Sequence, residues 1–398
     1  MELADRAARA FAAEYGGAAA ALARAPGRVE LLGNHTDYNG GLVMSAAIDR
    51  FTVVAARPRS DRRARVLSVD LGERDEFDVD GASGVGAGWA RYVRGVVWAV
   101  QERFGRLRSG FEAVIVGDVP RGAGLSSSAS LEAALAWALI GAGLVEVADD
   151  DATRMAMARA LQRAENECAG VACGLLDQFS SVFGAADHAL TLDCATGAWD
   201  RVPLKAANGA APAIVVCDSR TSRRLADGMY NRRRAECETV VAHFHRAKGD
   251  GVRWLRDVAL GELDREWDGL DPIGRRRARH VLTENARVEA GAAALRAGDL
   301  VGFGGLMTAS HESSRLDFEN SAEALDRLIA AAREAPGFLG GKLSGAGWAG
   351  ATVNLVEGEA ASAFAEAVRA GVARRGGAEP VIHVCRAAAG AGVVASAV

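Results

Sequence analysis

The sequence predicts an α+β protein of two lobes, and three observations carry that expectation. With 398 residues, the chain has room for two domains of roughly 100–200 residues each. Strand-like alternation and helix-like periodicity are mixed in both halves, without the regular βα alternation of a doubly wound sheet. A polar, turn-rich segment, Lys205-Ala-Ala-Asn-Gly-Ala-Ala-Pro212, separates the halves and divides the chain into lobes 1–205 and 206–398.

The elements follow in order. Residues 3–14 read as a short helix. Alternation at 20–32 and 43–57 gives two strands, with the turn-rich Gly33–Gly41 between them. Residues 89–105 are helical by period, Phe111–Gly117 is a compact strand, and Leu131–Gly141 is an Ala-rich buried helix. A helix at 151–169 precedes a segment led by Gly174 and a strand at His188–Leu192. The second half opens with the strand Ala213–Cys217, then helices near 227–248, 274–297, 299–314 and 319–334. A Gly-rich loop, a strand near Ala351–Val356, a helix and a strand near Val381–Cys385 complete it.

Composition narrows the function classes. A chain of this length buries about three-quarters of its unfolded surface, so it needs no disulfide or metal staple. A net charge of −4, from 47 basic and 51 acidic residues, argues against a nucleic-acid binder or a membrane-surface protein. No apolar run reaches the roughly 18 residues of a membrane span. Met1-Glu2-Leu3-Ala4-Asp5 lacks the basic start and apolar core of a signal peptide. The 6 cysteines form no CxxC pair, and Cys168 and Cys173 have no histidine nearby, so reduced thiols in a cytoplasmic protein are expected rather than disulfides or zinc.

Three Gly-rich stretches carry the chemistry. In Gly117-Asp-Val-Pro120-Arg-Gly122-Ala-Gly124-Leu-Ser126-Ser-Ser-Ala-Ser130 a strand enters and a helix leaves. Glycines admit a ligand close to the backbone, and a helix start presents unpaired N–H groups to an anion. This is an anion cradle suited to a triphosphate, and no Gly-Lys-Ser/Thr follows to make it a Walker A loop. The second stretch, Ala25-Pro-Gly27-Arg28-Val-Glu30-Leu-Leu-Gly33-Asn34-His35-Thr36-Asp37-Tyr38-Asn39-Gly-Gly41, crowds polar groups into one loop, a set that suits a polyhydroxylated ligand. The third, Gly340-Gly-Lys342-Leu-Ser-Gly345-Ala346-Gly-Trp348-Ala349-Gly350, reads equally as a flexible turn or as a loop packed closely on a ligand. Between them lie Glu165, a carboxylate able to reach a magnesium ion shared with phosphates, and Asp177, able to take a proton from a substrate hydroxyl. Each also reads as an ordinary surface or capping acid.

Taken together, these motifs resemble the galactokinases, within the superfamily of galactokinase, homoserine, mevalonate and phosphomevalonate kinases. The second stretch is similar to their signature Gly-Arg-Val-Asn-Leu-Ile-Gly-Glu-His-Thr-Asp-Tyr-Asn-Gly-Gly. Trp89–Gly95, Cys173–Gln178 and Tyr230–Cys237 match further subfamily features, so the likeness runs from about residue 20 to 356. The resemblance implies a two-lobed kinase with mixed sheets, the active site between the lobes, and a left-handed βαβ crossover at the phosphate loop. It implies transfer of the ATP γ-phosphate to the anomeric hydroxyl of galactose, with Mg²⁺. By the same resemblance, Asp177 and Arg28 are catalytic, and Asn34, His35, Asp37, Gly174 and Tyr230 bind the sugar. Pro120, Gly122, Gly124, Leu125, Ser126, Ser127, Ser128, Ala129, Ser130 and Trp89 bind ATP, with Ser128 and Glu165 contacting the metal. The only partner implied is the small-molecule sugar, with no nucleic acid, membrane or obligate protein partner.

The first motif departs from the family pattern at two positions. Glu30 stands where Asn is usual, and Asn34 stands where the family has the Glu that contacts the C6 side of the sugar. Losing a charge-assisted hydrogen bond there costs about 1–2 kcal/mol, and it lifts repulsion against a sugar with its own carboxylate. Galacturonate is therefore the alternative substrate, and a non-catalytic sugar- and ATP-sensing regulator is the alternative of another class. Ala346 and Ala349 replace glycines in the third motif, which stiffens that loop. The arginine runs at 232–234 and 275–277 read as solvated, salt-bridged helix faces.

Overall fold

The computed structural model describes residues 2–82, 86–171, 173–221 and 228–394. Its first half runs α1 (Glu2–Tyr15), β1 (Ala21–Leu32), β2 (Leu42–Pro58), β3 (Arg63–Ser68), β4 (Glu73–Asp78), α2 (Ala90–Phe104), β5 (Phe111–Gly117), α3 (Ser127–Gly141), α4 (Asp151–Glu167), α5 (Leu176–Phe183), β6 (His188–Asp193) and β7 (Trp199–Pro203). The second half runs β8 (Ala213–Asp218), α6 (Met229–Lys248), α7 (Leu260–Arg265), α8 (Pro272–Arg296), α9 (Leu300–Ser313), α10 (Glu323–Arg333), β9 (Phe338–Leu343), β10 (Ala351–Val356), α11 (Ala361–Arg374), β11 (Val381–Cys385) and β12 (Gly392–Val394). The first residue of the helix expected near 227–248 lies outside the described residues.

Two sheets organise these elements. The larger has the order β12-β1-β2-β5-β3-β4, with β6 on β2 and β7 on β6. Its strands pair antiparallel except β3 with β5, which are parallel. The smaller is an antiparallel sheet in the order β11-β8-β10-β9. The sheets fall on either side of residue 205, but β12 returns from the end of the chain to pair Leu22 with Val394 on β1.

Burial explains the joins. Helix α3 is Ala-rich and buried along most of its length, and it packs with β1 and α2 in the first lobe's core. Another core takes Val29, Leu31 and Met44 from the first sheet, Val288 and Phe303 from α8 and α9, and Val353 and Leu355 from β10. The lobes therefore share an apolar interior, and the loops at the end of β1 are held from both sides.

Several elements differ from expectation. The hairpin β3–β4 was not anticipated, because most of its residues are charged and pair across the strands, as Arg63 and Arg65 do with Glu76. The segment led by Gly174 contains helix α5, and α3 begins at Ser127, four residues before the expected Leu131. The first glycines of the third motif lie in strand β9. A Cβ on Gly340 would sit 2.0 Å from the Gly304 carbonyl oxygen of α9, so glycine there serves close helix–strand packing. The arginine runs are not wholly solvated: helix geometry turns one residue of each inward. Arg233 and Arg277 are buried, and they donate to the Phe318, Glu319 and Asp317 carbonyls of the π turn after α9.

Candidate active site

Strand β1 aims two charged side chains into one place. Arg28 and Glu30 flank the core residue Val29, so they share the opposite face of the strand. Both line a cavity of about 520 Å³ between the phosphate loop, the loop after β1, the start of α5 and the third motif. Gly27 lets the phosphate loop close on β1: Arg28 N donates to Leu125 O (3.1 Å), and a Cβ on Gly27 would come within 2.6 Å of that oxygen.

Arg28 and Asp177 form the centre of the cavity. Arg28 Nε donates to Asp177 Oδ1 (2.8 Å), Nη2 pairs with the same oxygen, and Nη1 donates to Gly124 O (2.6 Å). Ser126 Oγ donates to Asp177 Oδ2 (2.5 Å). Asp177 sits in the first turn of α5, where the helix dipole favours a carboxylate. A guanidinium from the sugar motif, a hydroxyl from the phosphate loop and a carboxylate thus meet at one point.

At the Gly/Ser-rich loop, Ser126 precedes α3 in the left-handed region (φ 55°), and no side chain caps the helix. Its hydroxyl is drawn to Asp177 instead, leaving the helix start open towards the cavity. Pro120, Gly122, Gly124, Leu125 and Ser126–Ser128 all line it. Ser128 Oγ donates to Glu165 Oε1 (3.0 Å). Burial and then the Asp177 charge push the Glu165 carboxyl above its ordinary value. Behind it, Gln178 Nε2 donates to Glu165 Oε2 (2.5 Å) and to the fully buried Glu132 (3.1 Å), whose carboxyl burial also raises. Glu132 and Gln178 were not singled out from sequence.

Two residues of the expected ATP set lie elsewhere. Ser130 is buried; its hydroxyl donates to Ala25 O (2.8 Å) and pairs with Thr52 Oγ1 (2.9 Å), and its N–H donates to Ser126 O (3.1 Å). Ala129 is fully buried and does not line the cavity. Both follow from α3 starting at Ser127, which turns these two positions away from the cavity. Trp89 lines an adjoining cleft of about 270 Å³ with Leu71, Tyr92 and Arg121, a cleft that shares Ser127 and Ser128 with the main cavity.

The opposite side of the cavity is made by the loop after β1. His35, at φ 59°, packs against Tyr230 and Phe318 (ring centroids 5.4 and 4.5 Å). Its Nε2 donates to Ala346 O (2.9 Å), and its Nδ1 accepts from the Tyr38 hydroxyl (2.8 Å). Burial lowers the His35 pKa to about 3, so the ring is neutral. Asp37 shows the reverse: burial, and then nearby carboxylates, raise it to about 6. Gly174 leaves room for that carboxylate, since a Cβ would sit 1.9 Å from Asp37 Oδ2.

Asn34 lines the cavity, but its amide is committed to the protein. It donates to Glu30 Oε1 (2.9 Å) and Gly345 O (2.8 Å), and it accepts from Asn320 Nδ2 (2.8 Å) and Ser314 Oγ (3.4 Å). From α8, Glu284 Oε1 accepts the backbone N–H groups of Gly33 (2.9 Å) and Asn34 (3.2 Å), and His280 Nε2 donates to Asn34 O (2.9 Å). Burial opposes charge on Glu284, but Arg287 and other nearby cations outweigh it and hold the carboxyl down to about 2. Neither α8 residue belongs to a Gly-rich motif, and no sequence signal marked them.

Among the described residues no group of three or more His, Cys, Asp or Glu could hold a metal ion. No described helix is long and apolar enough to cross a membrane.

Comparisons with known proteins identify the family. Residues 9–58 match the galactokinase galactose-binding signature, 91–185 the N-terminal domain of GHMP kinases, and 292–374 the GHMP kinase C-terminal domain. A galactokinase from Roseiflexus sp. (strain RS-1) is 43% identical over 384 residues, covering 96% of this chain and 95% of its own. One from Chloroflexus aggregans is 41% identical over 386 residues, covering 97% and 96%. The crystal structure of Lactococcus lactis galactokinase complexed with galactose superposes with a TM-score of 0.88 at 32% identity, covering 96% of this chain and 98% of that one. The Methanococcus jannaschii mevalonate kinase shares the fold, with a TM-score of 0.65 at 18% identity over 92% and 98%. At this identity and coverage, the chain belongs to the galactokinase family of sugar kinases.

Proposed function

We propose that this protein transfers the γ-phosphoryl group of ATP to the anomeric hydroxyl of galactose, giving galactose 1-phosphate and ADP. One observation carries the reading. Arg28, Asp177 and Ser126 converge where the sugar-side loop meets the open start of α3, so a hydroxyl beside Asp177 lies next to a terminal phosphate on the helix.

Phosphoryl transfer depends mostly on positioning and on neutralising charge. Asp177 orients the sugar hydroxyl and receives its proton as the new P–O bond forms to the γ-phosphorus and the bond from that phosphorus to the ADP oxygen breaks. Arg28 fixes Asp177 through Nε and Nη2 and places positive charge beside the transferring group. The Ser126–Ser128 turn and the first N–H groups of α3 receive the polyphosphate. The Trp89 cleft, which opens from the same serines, takes the rest of the nucleotide.

Ser128 and Glu165 suit Mg²⁺. They offer one hydroxyl and one carboxylate already paired, and Mg²⁺ is usually held by one or two protein oxygens together with substrate phosphates. When bound there, the ion neutralises charge on the phosphates.

The test is ADP release from Mg-ATP with purified protein against galactose, galacturonate, N-acetylgalactosamine, glucose, talose and L-arabinose, with Asp177→Asn alongside. Galactose should be turned over fastest, and Asp177→Asn should lower kcat by about 10²–10⁴-fold. Absence of sugar-stimulated ADP release by the wild-type protein would overturn the reading.

A further inference from the structure

Resting on the galactose reading, we propose that Glu30, not Asn34, accepts a hydrogen bond from a sugar hydroxyl remote from the reacting carbon, and that Lys342 is the positioning residue that aims it.

Asn34 has nothing left to offer. A side-chain amide has two N–H bonds and one carbonyl with two lone pairs, and the four bonds described above use all of them. Only 1% of the residue is exposed.

Glu30 is in the opposite situation. Its Oε1 is held by two donors, Asn34 Nδ2 and Lys342 Nζ (2.7 Å). Its Oε2 receives no hydrogen bond among the described residues, and Glu30 lines the cavity. Lys342 is fully buried, does not line the cavity, and spends another proton on Leu343 O (3.0 Å). A buried ammonium of this kind is tolerated only when paired. The pair therefore locks one carboxylate oxygen into the wall and leaves the other for a ligand.

Position supplies the rest. Arg28 and Glu30 lie two residues apart on one face of β1, so their Cα atoms are about 6–7 Å apart. Arg28 holds Asp177, beside which the reacting hydroxyl must lie. A sugar ring reaching from Asp177 along the strand brings its far side to Glu30. The exchange of Asn and Glu between positions 30 and 34 thus keeps a carboxylate at the cavity instead of removing it. A neutral hydroxyl can donate to Oε2, whereas a uronate carboxylate brings no proton and meets like charge. The geometry therefore points to galactose over galacturonate, because the carboxylate missing at position 34 is present at position 30.

The experiment measures kcat and KM for galactose, its 2-, 3-, 4- and 6-deoxy analogues and galacturonate, in wild type, Glu30→Gln, Lys342→Met and Lys342→Arg. In wild type, one deoxy analogue should lose about 10–100-fold in kcat/KM through the missing charge-assisted bond. Glu30→Gln should raise KM for galactose with little change in kcat, and should discriminate against that same analogue by less than about threefold. Lys342→Met should raise KM in the same way, and Lys342→Arg should restore part of it. If Glu30→Gln misfolds, Glu30→Gln with Lys342→Met removes both charges of the pair and carries the same test. Equal discrimination against every analogue in wild type and variant overturns the Glu30 assignment alone. Wild-type protein that turns over no sugar overturns the galactose reading and this assignment together.

Discussion

The two ends of the cavity are built in opposite ways. At the sugar end the protein has already satisfied most polar groups: Glu284 and His280 grip the backbone of Gly33 and Asn34, the Asn34 amide is saturated, and both ring nitrogens of His35 are engaged. At the phosphate end, α3 starts without a side-chain cap, and Arg121 makes no hydrogen bond or ion pair among the described residues. A small neutral ligand brings no charge to organise its surroundings, so its site is fixed in advance and affinity comes from avoided reorganisation. A polyphosphate brings its own charge, and groups left open can turn to meet it. On the function proposed above, the contrast gives specificity to the end whose polar groups are already paired and charge neutralisation to the open one.

The contrast is broken most severely at Glu284. Glu284→Ala removes the acceptor for Gly33 N, Asn34 N and Ser310 Oγ and leaves the Arg287 guanidinium without its carboxylate. Losing one partner of a buried pair costs about 3–5 kcal/mol, so urea unfolding should show a loss of that size, and KM for the sugar should rise in the surviving folded protein. Stability should also depend on pH here. The folded carboxyl lies near 2, below its ordinary 4.5, so its contribution is full above pH 4.5 and is lost as pH falls towards 2. Glu284→Gln should flatten that part of the acid-unfolding curve. Unchanged stability in both variants would mean that the sugar loop does not depend on α8.

Legibility followed the same divide. The Gly/Ser loop was readable as a local motif, but Asp177 and Glu165 stood out only through the family resemblance, since each alone also reads as a surface or capping acid. The structure brings both to the cavity, with Arg28 and Ser128 as their partners. Strand β5 was readable because Phe111–Gly117 is a short apolar run bounded by turns. The clamp on the sugar loop was not, because Glu284 and His280 lie in an ordinary helix and meet Gly33 and Asn34 only after the lobes share a core. Nor was the Glu30–Lys342 pair, whose partners are 312 positions apart. Sequence showed Glu30 and Asn34 as two separate departures, and only the fold shows them bonded to each other. Strand β9 was hidden for another reason: Gly340 and Gly341 resemble a loop, whereas Gly340 is required by the approach of α9.

At the open end the expected signature is kinetic rather than thermodynamic. Ser128→Ala removes one oxygen of the pair with Glu165 without opening a large cavity. It should lower kcat by about 10–100-fold, or roughly 1.4–2.8 kcal/mol of barrier, and raise the Mg²⁺ concentration needed for half-maximal rate. Its unfolding midpoint should stay close to wild type, since surface-facing changes of this size usually stay within about 0.5 kcal/mol. A variant that loses stability but keeps its metal dependence would reverse the roles given to the two ends.

The smallest effect sharpens the comparison inside the sugar end, where Asp37 is the group left poised. Burial raises its carboxyl to about 6 from an ordinary 3.8, so the folded protein holds a proton that the unfolded chain has released, and Asp37 costs the fold stability as pH rises through that window. The ionised form is the better acceptor for sugar hydroxyls, so kcat/KM for galactose should rise with pH up to about 6 and then level. Bound hydroxyls stabilise the carboxylate, so the break in kcat should lie lower than the break in kcat/KM. His35 and His280 do not supply this break, because burial holds them near 3 and near 4. Glu165 is also raised, but it belongs to the phosphate end and should respond to Mg²⁺ concentration rather than to sugar. Asp37→Asn should therefore remove the break near 6 at saturating Mg²⁺, and a break that persists in that variant would move the poised group to the open end of the cavity.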